Sequence, residues 1–249
     1  MHTIHHRLLT GITLLLSSLL LFPAQAEYRP PANPTAPQGG TSTAGTRDGC
    51  LGDLAQAGPI LLAPEQYLGQ TQSPYPTLTW YIPQAIPSTP IELRLYRNLA
   101  NNQRKLLHRI TLTSRSGWMT YQYPTDRPNL TSGHTYRWQL IAPCDPNSPS
   151  KTAIRSVDFL LQPPSPSLAS PKTPIELAHI YAKNGLWYDA IALVANGTDA
   201  TAAALRLTLL QDLLNAEPKT PAPQPNDFRS RLQALIQHLR QSEPRSPQR

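Results

Sequence analysis

Few side chains in this sequence stand in patterns that could do chemistry. The histidines beyond the N-terminal stretch are scattered over separate segments, and none has a second histidine four residues away, the spacing by which one helix binds zinc. The chain also lacks the Gly-x-Ser-x-Gly elbow, the phosphate loop and the dinucleotide fingerprint. We therefore predict a protein that is not an enzyme, with no catalytic residue, no metal site and no cofactor. The four histidines are His108, His134, His179 and His238.

One cluster of charges is suited to binding. The chain carries a formal net charge of +7, and six of its cations lie between residues 92 and 115, where Glu92 is the only acidic residue. With tyrosines near them in sequence, they predict a basic and aromatic sheet face that could hold an anionic polysaccharide or peptidoglycan. The alternative is an ordinary solvated face on which cations guard edge strands. The polymer-binding candidates are Arg94, Arg97 and Arg109, accompanied by Arg104, Lys105 and Arg115 and by Tyr81, Tyr96, Tyr121 and Tyr123.

The clearest structural element in the sequence is the stretch from Leu130 to Cys144. It opens with the spacing Leu130, Gly133, Tyr136 and then alternates apolar and polar residues, which is typical of a half-buried strand. A tyrosine that enters such a strand through a glycine turn predicts a tyrosine corner, with the ring in the core and the hydroxyl bonded to the backbone near Leu130. The predicted inner face carries Tyr136, Trp138, Leu140 and Ala142.

Short strand-like runs separated by turn residues follow one another along residues 59–162. They predict a fold that is mainly β with a smaller α part: a seven-stranded immunoglobulin- or fibronectin-III-like β-sandwich over residues 47–162. Trp80, followed by Pro83, resembles the tryptophan of the second fibronectin strand, which packs under the tyrosine corner. The seven runs are Ile60–Ala63, Thr77–Ile82, Ile91–Arg97, Lys105–Thr113, Trp118–Tyr123, His134–Ala142 and Ile154–Leu161.

Residues 1–26 have the pattern of a signal peptide. Arg7 precedes an apolar run over residues 8–22, and Ala24-Gln25-Ala26 forms an A-x-A cleavage site. An uncleaved anchor is the alternative, but the run is shorter than the roughly 20 apolar residues that a span needs. We expect an exported protein of the periplasm or the extracellular space, whose mature chain has no transmembrane span and no nucleic acid as partner.

Two cysteines in an exported chain predict one structural disulfide, between Cys50 and Cys144. The alternative, a redox pair, would need the C-x-x-C spacing that this sequence lacks. Residues 27–46, between the signal peptide and the predicted sandwich, are rich in Pro, Gly and Thr and have no periodicity. That composition predicts a disordered leader.

A Pro-rich linker over residues 163–174 precedes a change of period. Residues 175–215 have helical spacing, and Tyr181, Gly185, Trp187 and Ala190 form a pattern close to the helical hairpin of a tetratricopeptide repeat. One hairpin cannot form the peptide-binding groove that about three repeats build. The segment is therefore either a helical cap on the sandwich or a docking module for another envelope protein.

The C-terminal part of the chain predicts one more helix. A second Pro-rich linker over residues 216–227 leads to a basic amphipathic helix at 228–242, with a disordered tail at 243–249. The narrow apolar stripe of this helix is suited to a partner or to a membrane surface. Docking back on its own domain is the alternative.

Four segments together resemble a cyanobacterial exported family known as domain of unknown function family 928. They are Gly45-Thr46-Arg47 before Cys50, the Trp80-Tyr81-x-Pro83 strand, residues 130–144 and residues 181–190. The resemblance extends from about residue 45 to residue 214. It implies a periplasmic or cell-envelope setting and provides no catalytic residue to carry over.

The lack of catalytic motifs and the two recognition-type modules predict a function. We expect an exported, non-enzymatic adaptor or structural protein of the cell envelope that binds another envelope protein. The alternative is a carbohydrate- or envelope-polymer-binding module that uses the basic and aromatic sheet face.

Overall fold

The computed structural model describes residues 28–38, 58–83, 90–143, 152–165, 173–219 and 227–242. In these ranges the fold is mixed, mainly β with a smaller α part, as predicted. The strands are β1 Ile60–Leu61, β2 Gly69–Thr71, β3 Thr77–Ile82, β4 Pro90–Asn98, β5 Arg104–Thr113, β6 Gly117–Gln122, β7 Thr135–Pro143 and β8 Thr152–Leu161. The helices are α1 Pro174–Lys183, α2 Trp187–Ala195, α3 Ala200–Ala216 and α4 Phe228–Ser242.

The strands form two sheets. One has the order β1-β3-β6, and the other has the order β2-β8-β7-β4-β5. All pairs are antiparallel except β2 with β8, which is parallel. Each of the seven predicted runs overlaps a strand, but β2 was not predicted, because three residues are too few to establish a period of two.

The core lies between the two sheets and continues under the helices. Trp80 in the smaller sheet and Trp138 in the larger one are both 0% exposed. The ring of Tyr136 stacks on that of Phe159, with centroids 5.4 Å apart. Alternation along β7 therefore turns its aromatic residues inward, as the period of a strand requires.

A tyrosine corner closes the entry to β7. The hydroxyl of Tyr136 accepts a hydrogen bond from the N–H of Thr131 (2.8 Å) and donates one to the carbonyl of the same residue (3.1 Å). Leu130 beside it is 5% exposed. Gly133 makes the turn with φ +78°, a left-handed conformation that glycine adopts without steric cost.

The four helices share their core with the sheets. Thr173 and Glu176 form a capping box at the start of α1, and Gly185 (φ +77°) makes the turn to α2. The helix α2 packs against β2, β3 and β6, and α4 packs against α3 and β1. The indole N–H of Trp187 donates to the carbonyl of Leu62 at 2.7 Å. The helices of residues 175–215 thus pack on the sheets, as the cap alternative expects, and the docking alternative stays a prediction.

The N-terminal segment, residues 28–38, packs on the rest of the chain without forming a helix or strand. Tyr28 is 2% exposed, and its ring meets Trp187 edge-on with centroids 4.9 Å apart. Its N–H donates to the carboxylate of Asp212 at 2.9 Å. The prediction of a disordered leader over 27–46 is therefore wrong for residues 28–38, because the segment buries an aromatic ring and finds partners far away in sequence.

The other end of the N-terminal segment lies on the larger sheet. The carbonyl of Thr35 accepts from the N–H of Leu68 (2.9 Å), and the N–H of Gln38 donates to Asp158 (3.0 Å). Asp158 also forms a buried ion pair with Arg137, which in turn donates to the carbonyl of Gln38 (3.0 Å). Arg137 belongs to the outer face of β7, and this cover explains why it is buried.

Several predicted features lie outside the described residues: the signal peptide (1–26), both cysteines of the predicted disulfide, most of the two Pro-rich linkers, and the C-terminal tail (243–249). Within the described ranges, no helix combines the length and the apolar character needed to cross a membrane.

Candidate binding surface

The outer face of the hairpin formed by β4 and β5 carries an arginine pair. Arg94 and Arg109 are directly opposite each other in the register of the two strands. Both pair with Glu92, Arg94 in close contact and Arg109 at 3.6 Å. Nη1 of Arg94 also lies 3.4 Å from the hydroxyl of Tyr96, which it donates to. Two guanidinium groups and one tyrosine thus share this face, and one carboxylate partly neutralises them.

Arg97 does not belong to this face. It is opposite Tyr136 in the register with β7, and the ring of Tyr136 is in the core. Because successive side chains of a strand point to opposite faces, Arg97 lies on the other side of the sheet from Arg94. The predicted set Arg94, Arg97 and Arg109 is therefore wrong as one binding face.

Three of the four tyrosines predicted for this face lie elsewhere. Tyr81 is in the smaller sheet and is 7% exposed. Tyr121 lies in β6, also in the smaller sheet, and Tyr123 follows that strand. Tyr121 stacks on His108 with ring centroids 5.8 Å apart, between the two sheets. Only Tyr96 accompanies the arginines, because nearness in sequence does not decide which sheet a strand joins.

The hairpin also carries the two large hydrophobic side chains that the described residues leave exposed. Leu106 is 44% exposed and Leu99 is 37% exposed. Leu106 is opposite Tyr96, at a point where the register of the two strands shifts. Arg104 and Lys105 precede it, both exposed. Arg104 donates to the carbonyl of Gln38 at 3.0 Å, and Lys105 lies opposite Arg97. An apolar contact flanked by cations is suited to an acidic partner.

The edges of the two sheets are covered unequally. Helix α4 packs on β1, and α2 packs on β2 and β6. The side-chain amide of Asn196, which follows α2, donates to the hydroxyl of Thr120 in β6 at 3.0 Å. At the β5 edge, by contrast, no helix of the described residues packs closely, and no further described strand is bonded to its outer side.

The residues predicted for the helical module are used inside the protein. Trp187 and Ala190 are 0% exposed, Gly185 forms the buried turn before α2, and Tyr181 is half-buried. The apolar stripe of α4 is buried as well, with Leu232 and Leu235 at 0% exposure. These apolar side chains belong to the protein's own core, and the docking role of the helices stays a prediction.

Buried carboxylates tie the helices to the sheets, and sequence reasoning missed this role. The carboxylate of Glu217, at the end of α3, accepts from the backbone N–H groups of Glu65 (2.8 Å) and Gln66 (3.3 Å). Burial raises the pKa of Glu217 to about 7, although both N–H groups act in the opposite direction. A carboxylate whose partner is a backbone amide leaves no pattern in the sequence, because every residue but proline has that N–H.

Asp189 in α2 has the same role at a second loop. Its carboxylate accepts from the hydroxyl of Thr71 and from the N–H of Gln72, both at 2.9 Å. Burial raises the pKa of Asp189 to about 6 against these hydrogen bonds. The sequence indicates only that Asp189 lies in the first turn of a helix, where its charge suits the helix dipole. The structure shows that it also contacts the strand β2 through Thr71.

An ion pair completes the contact between α4 and the loop after β1. Nη2 of Arg231 lies 3.5 Å from Oε1 of Glu65, and the two side chains are 4% and 12% exposed. Burial raises the pKa of Glu65 to about 7, and the charges of Arg231 and Arg155 oppose that rise. These groups are enclosed by the protein and hold its parts together.

No metal centre is formed by the described part of the chain, where no group of three or more His, Cys, Asp or Glu side chains is close enough to hold an ion. Nε2 of His108 lies 2.7 Å from the hydroxyl of Tyr121, and burial lowers the pKa of that histidine.

Comparison with known proteins identifies the family of this sequence. The sequence model described as "Domain of Unknown Function (DUF928)" matches residues 42–219. A search of the curated proteins gives no match. Among solved structures, a superoxide reductase (neelaredoxin) from Ignicoccus hospitalis is similar over 42% of this chain and 80% of its own, at 11% identity and a TM-score of 0.27. A likeness at that level carries no argument about fold or function.

Proposed function

The chain belongs to the DUF928 family, and we propose that it is an exported, non-enzymatic adaptor of the cell envelope that binds another envelope protein through the β4–β5 hairpin. The observation that carries the proposal is the surface of that hairpin. On its outer face it combines the exposed Leu106 with Arg104 and Arg109, and Lys105, opposite Arg97, adds a cation on the other face. The hairpin forms a sheet edge that no further described strand occupies.

The burial of the apolar side chains of the helices supports this choice of surface. An adaptor needs an apolar contact that is free in the unbound protein, and the apolar residues of α2 and α4 pack inside. The partner we propose is acidic where it meets the hairpin, because charge complementarity steers association and excludes wrong partners.

The setting in the envelope rests on the sequence. The signal-peptide pattern over residues 1–26 supports export, and an oxidising compartment would allow a disulfide between Cys50 and Cys144. The resemblance to an exported cyanobacterial family supports the same location.

The finer architecture is part of the proposal. We infer an immunoglobulin- or fibronectin-III-like sandwich from the antiparallel order β1-β3-β6 facing β8-β7-β4-β5, together with the tyrosine corner at Tyr136. The β2 strand adds an eighth, parallel member to that pattern. The hairpin of α1 and α2 supports a tetratricopeptide-like unit that serves as a cap.

Binding of an anionic envelope polymer is the second candidate. The facing pair Arg94 and Arg109, with Tyr96 beside it, favours this function. The ion pairs with Glu92 and the separate position of Arg97 weaken it, since they leave two partly neutralised arginines on the face.

A capture experiment with surface variants tests the proposal. The bait is residues 27–249, incubated with a native envelope extract, beside the double variant Lys105→Glu/Arg109→Glu and the control Arg240→Glu on the exposed side of α4. Truncation of the helices is unsuitable, because they share one core with the sheets. We expect a protein that the wild type and the control capture and the double variant does not.

One outcome would contradict the hairpin as the binding surface, and another would contradict the adaptor function. Equal capture by all three baits would mean that the hairpin is not the binding surface. Co-sedimentation of purified cell-wall polymer with the wild type, lost in Arg94→Glu/Arg109→Glu and without any hairpin-dependent protein partner, would establish the polymer-binding function instead.

A further inference from the structure

The strand β5 is an edge strand against which no helix of the described residues packs closely. At its first residue, Arg104 donates to the carbonyl of Gln38 at 3.0 Å. By comparison, α4 packs against β1, and α2 packs against β2 and β6. At β2 the fit is close, since a Cβ on Gly69 would lie 2.8 Å from the ring of Tyr188. In β5 none of the ten residues is buried and none is proline. Its backbone groups that point away from β4 have no strand partner among the described residues. An edge of this kind is a template for a further strand.

The charges on β5 decide which strand it can accept. The strand carries Arg104, Lys105 and Arg109 and no acidic residue. Such cations guard an edge against a second copy of the same chain, because like charges then accumulate at the new pair of strands. They favour a segment with carboxylates, for which the same positions become opposite-charge pairs.

The register between β4 and β5 limits where an added strand would lie along β5. From His108 to Thr113 the pairing with β4 is regular, and it shifts between Leu95 and Tyr96. Arg109 shares the outer face with Arg94, whereas Ile110 and Leu112 are half-buried against the core. A segment that fits would therefore alternate acidic residues on the outer face with apolar residues on the inner face.

We propose that an extended, acidic segment of the partner protein adds to the five-stranded sheet as a sixth strand, bonded to residues 108–113 of β5. The inference rests on the proposed adaptor function and specifies how the partner is held. Backbone hydrogen bonds give the affinity, and Arg109 with the half-buried Ile110 and Leu112 selects the alternating acidic and apolar pattern.

Synthetic peptides added to the mature chain, residues 27–249, test the strand addition. The probe is a capped nine-residue peptide that alternates glutamate and valine. One control has lysine in place of glutamate, and a second has every backbone nitrogen methylated, which keeps the charge and removes every N–H donor. Affinity is measured by fluorescence anisotropy, and hydrogen–deuterium exchange follows the β5 amides.

We expect the acidic peptide to bind and to slow exchange in residues 108–113. The methylated peptide should bind at least tenfold more weakly, and the lysine peptide should not bind. Arg109→Glu should weaken the acidic peptide at least tenfold, whereas Arg240→Glu should leave its affinity unchanged. Both arginines are exposed, so both variants should fold like the wild type.

Two results would overturn strand addition. One is equal binding of the methylated and unmethylated acidic peptides, which would mean attraction by charge alone. The other is no binding with unchanged exchange in β5. In either case, capture of an envelope protein that still depends on Lys105 and Arg109 would leave the adaptor function standing without this mode of binding.

Discussion

Replacing Glu217 by glutamine removes one of the buried carboxyls that hold the helices on the sheets. Glu217 is 2% exposed, and its carboxylate accepts from the N–H groups of Glu65 and Gln66. Glutamine has nearly the same shape and keeps one acceptor oxygen, but it does not titrate. The substitution therefore isolates the effect of ionising this group inside the protein.

The sign of the pH effect follows from the direction of the pKa change. Folding raises the pKa of Glu217 from its ordinary 4.5 to about 7. Between these two pH values the native state holds the proton of Glu217 more firmly than the unfolded state does. The stability that the protonated Glu217 contributes is therefore complete below pH 4.5 and is lost as the pH rises through 7. One pKa unit corresponds to about 1.4 kcal/mol, which makes the loss roughly 3 kcal/mol across this interval.

Urea unfolding at pH values from 4.5 to 8, without reductant, measures the effect. We expect the free energy of unfolding of the wild type to fall with pH more steeply than that of Glu217→Gln, by up to about 1.4 kcal/mol per pH unit. Glu65 and Asp189 have raised pKa values of about 7 and about 6, so part of the slope should remain in the variant. Asp126→Asn, at an exposed turn, is the matched control and should keep the slope of the wild type. Identical slopes for Glu217→Gln and the wild type would refute the reasoning.

Three further substitutions test the packing. Tyr136→Phe removes both hydrogen bonds to the backbone of Thr131 and should lower the free energy of unfolding by about 1–3 kcal/mol in urea; a change below about 0.5 kcal/mol would contradict the tyrosine corner. Trp187→Phe leaves the carbonyl of Leu62 without its indole donor and should lower the free energy of unfolding by about 2 kcal/mol or more. A thermal midpoint equal to that of the wild type would argue against this contact. Tyr28→Ala should lower the free energy of unfolding by about 3 kcal/mol, because it leaves a cavity beside Trp187. An unchanged melting temperature would mean that the N-terminal segment does not pack there.

The hairpin shows why a binding face is harder to predict than the strands that form it. The alternation in β4 and β5 is local, so it could be read from the sequence. The face of each arginine also follows from that alternation, and it already separates Arg97 from Arg94 and Arg109. Which tyrosines join them depends on strand order, and strand order depends on pairings between distant residues.

The sequence by itself determined the elements whose signal is local. Period-two runs marked seven of the strands, and helical spacing with Gly185 marked α1 and α2, because one buried face imposes its period on consecutive residues. Tyr136, Gly133 and Leu130 predicted the tyrosine corner because all its parts lie within seven residues.

Only the tertiary structure decided how these elements are held together. The N-terminal segment reads as disordered because it has no periodicity, yet Tyr28 is enclosed by helices that follow more than 150 residues later. The carboxylates of Asp189 and Glu217 bind backbone amides, and an amide has no residue type that could mark it as a partner. The position of β5 at the edge of its sheet likewise follows from the strand order, which depends on pairings between segments far apart along the chain.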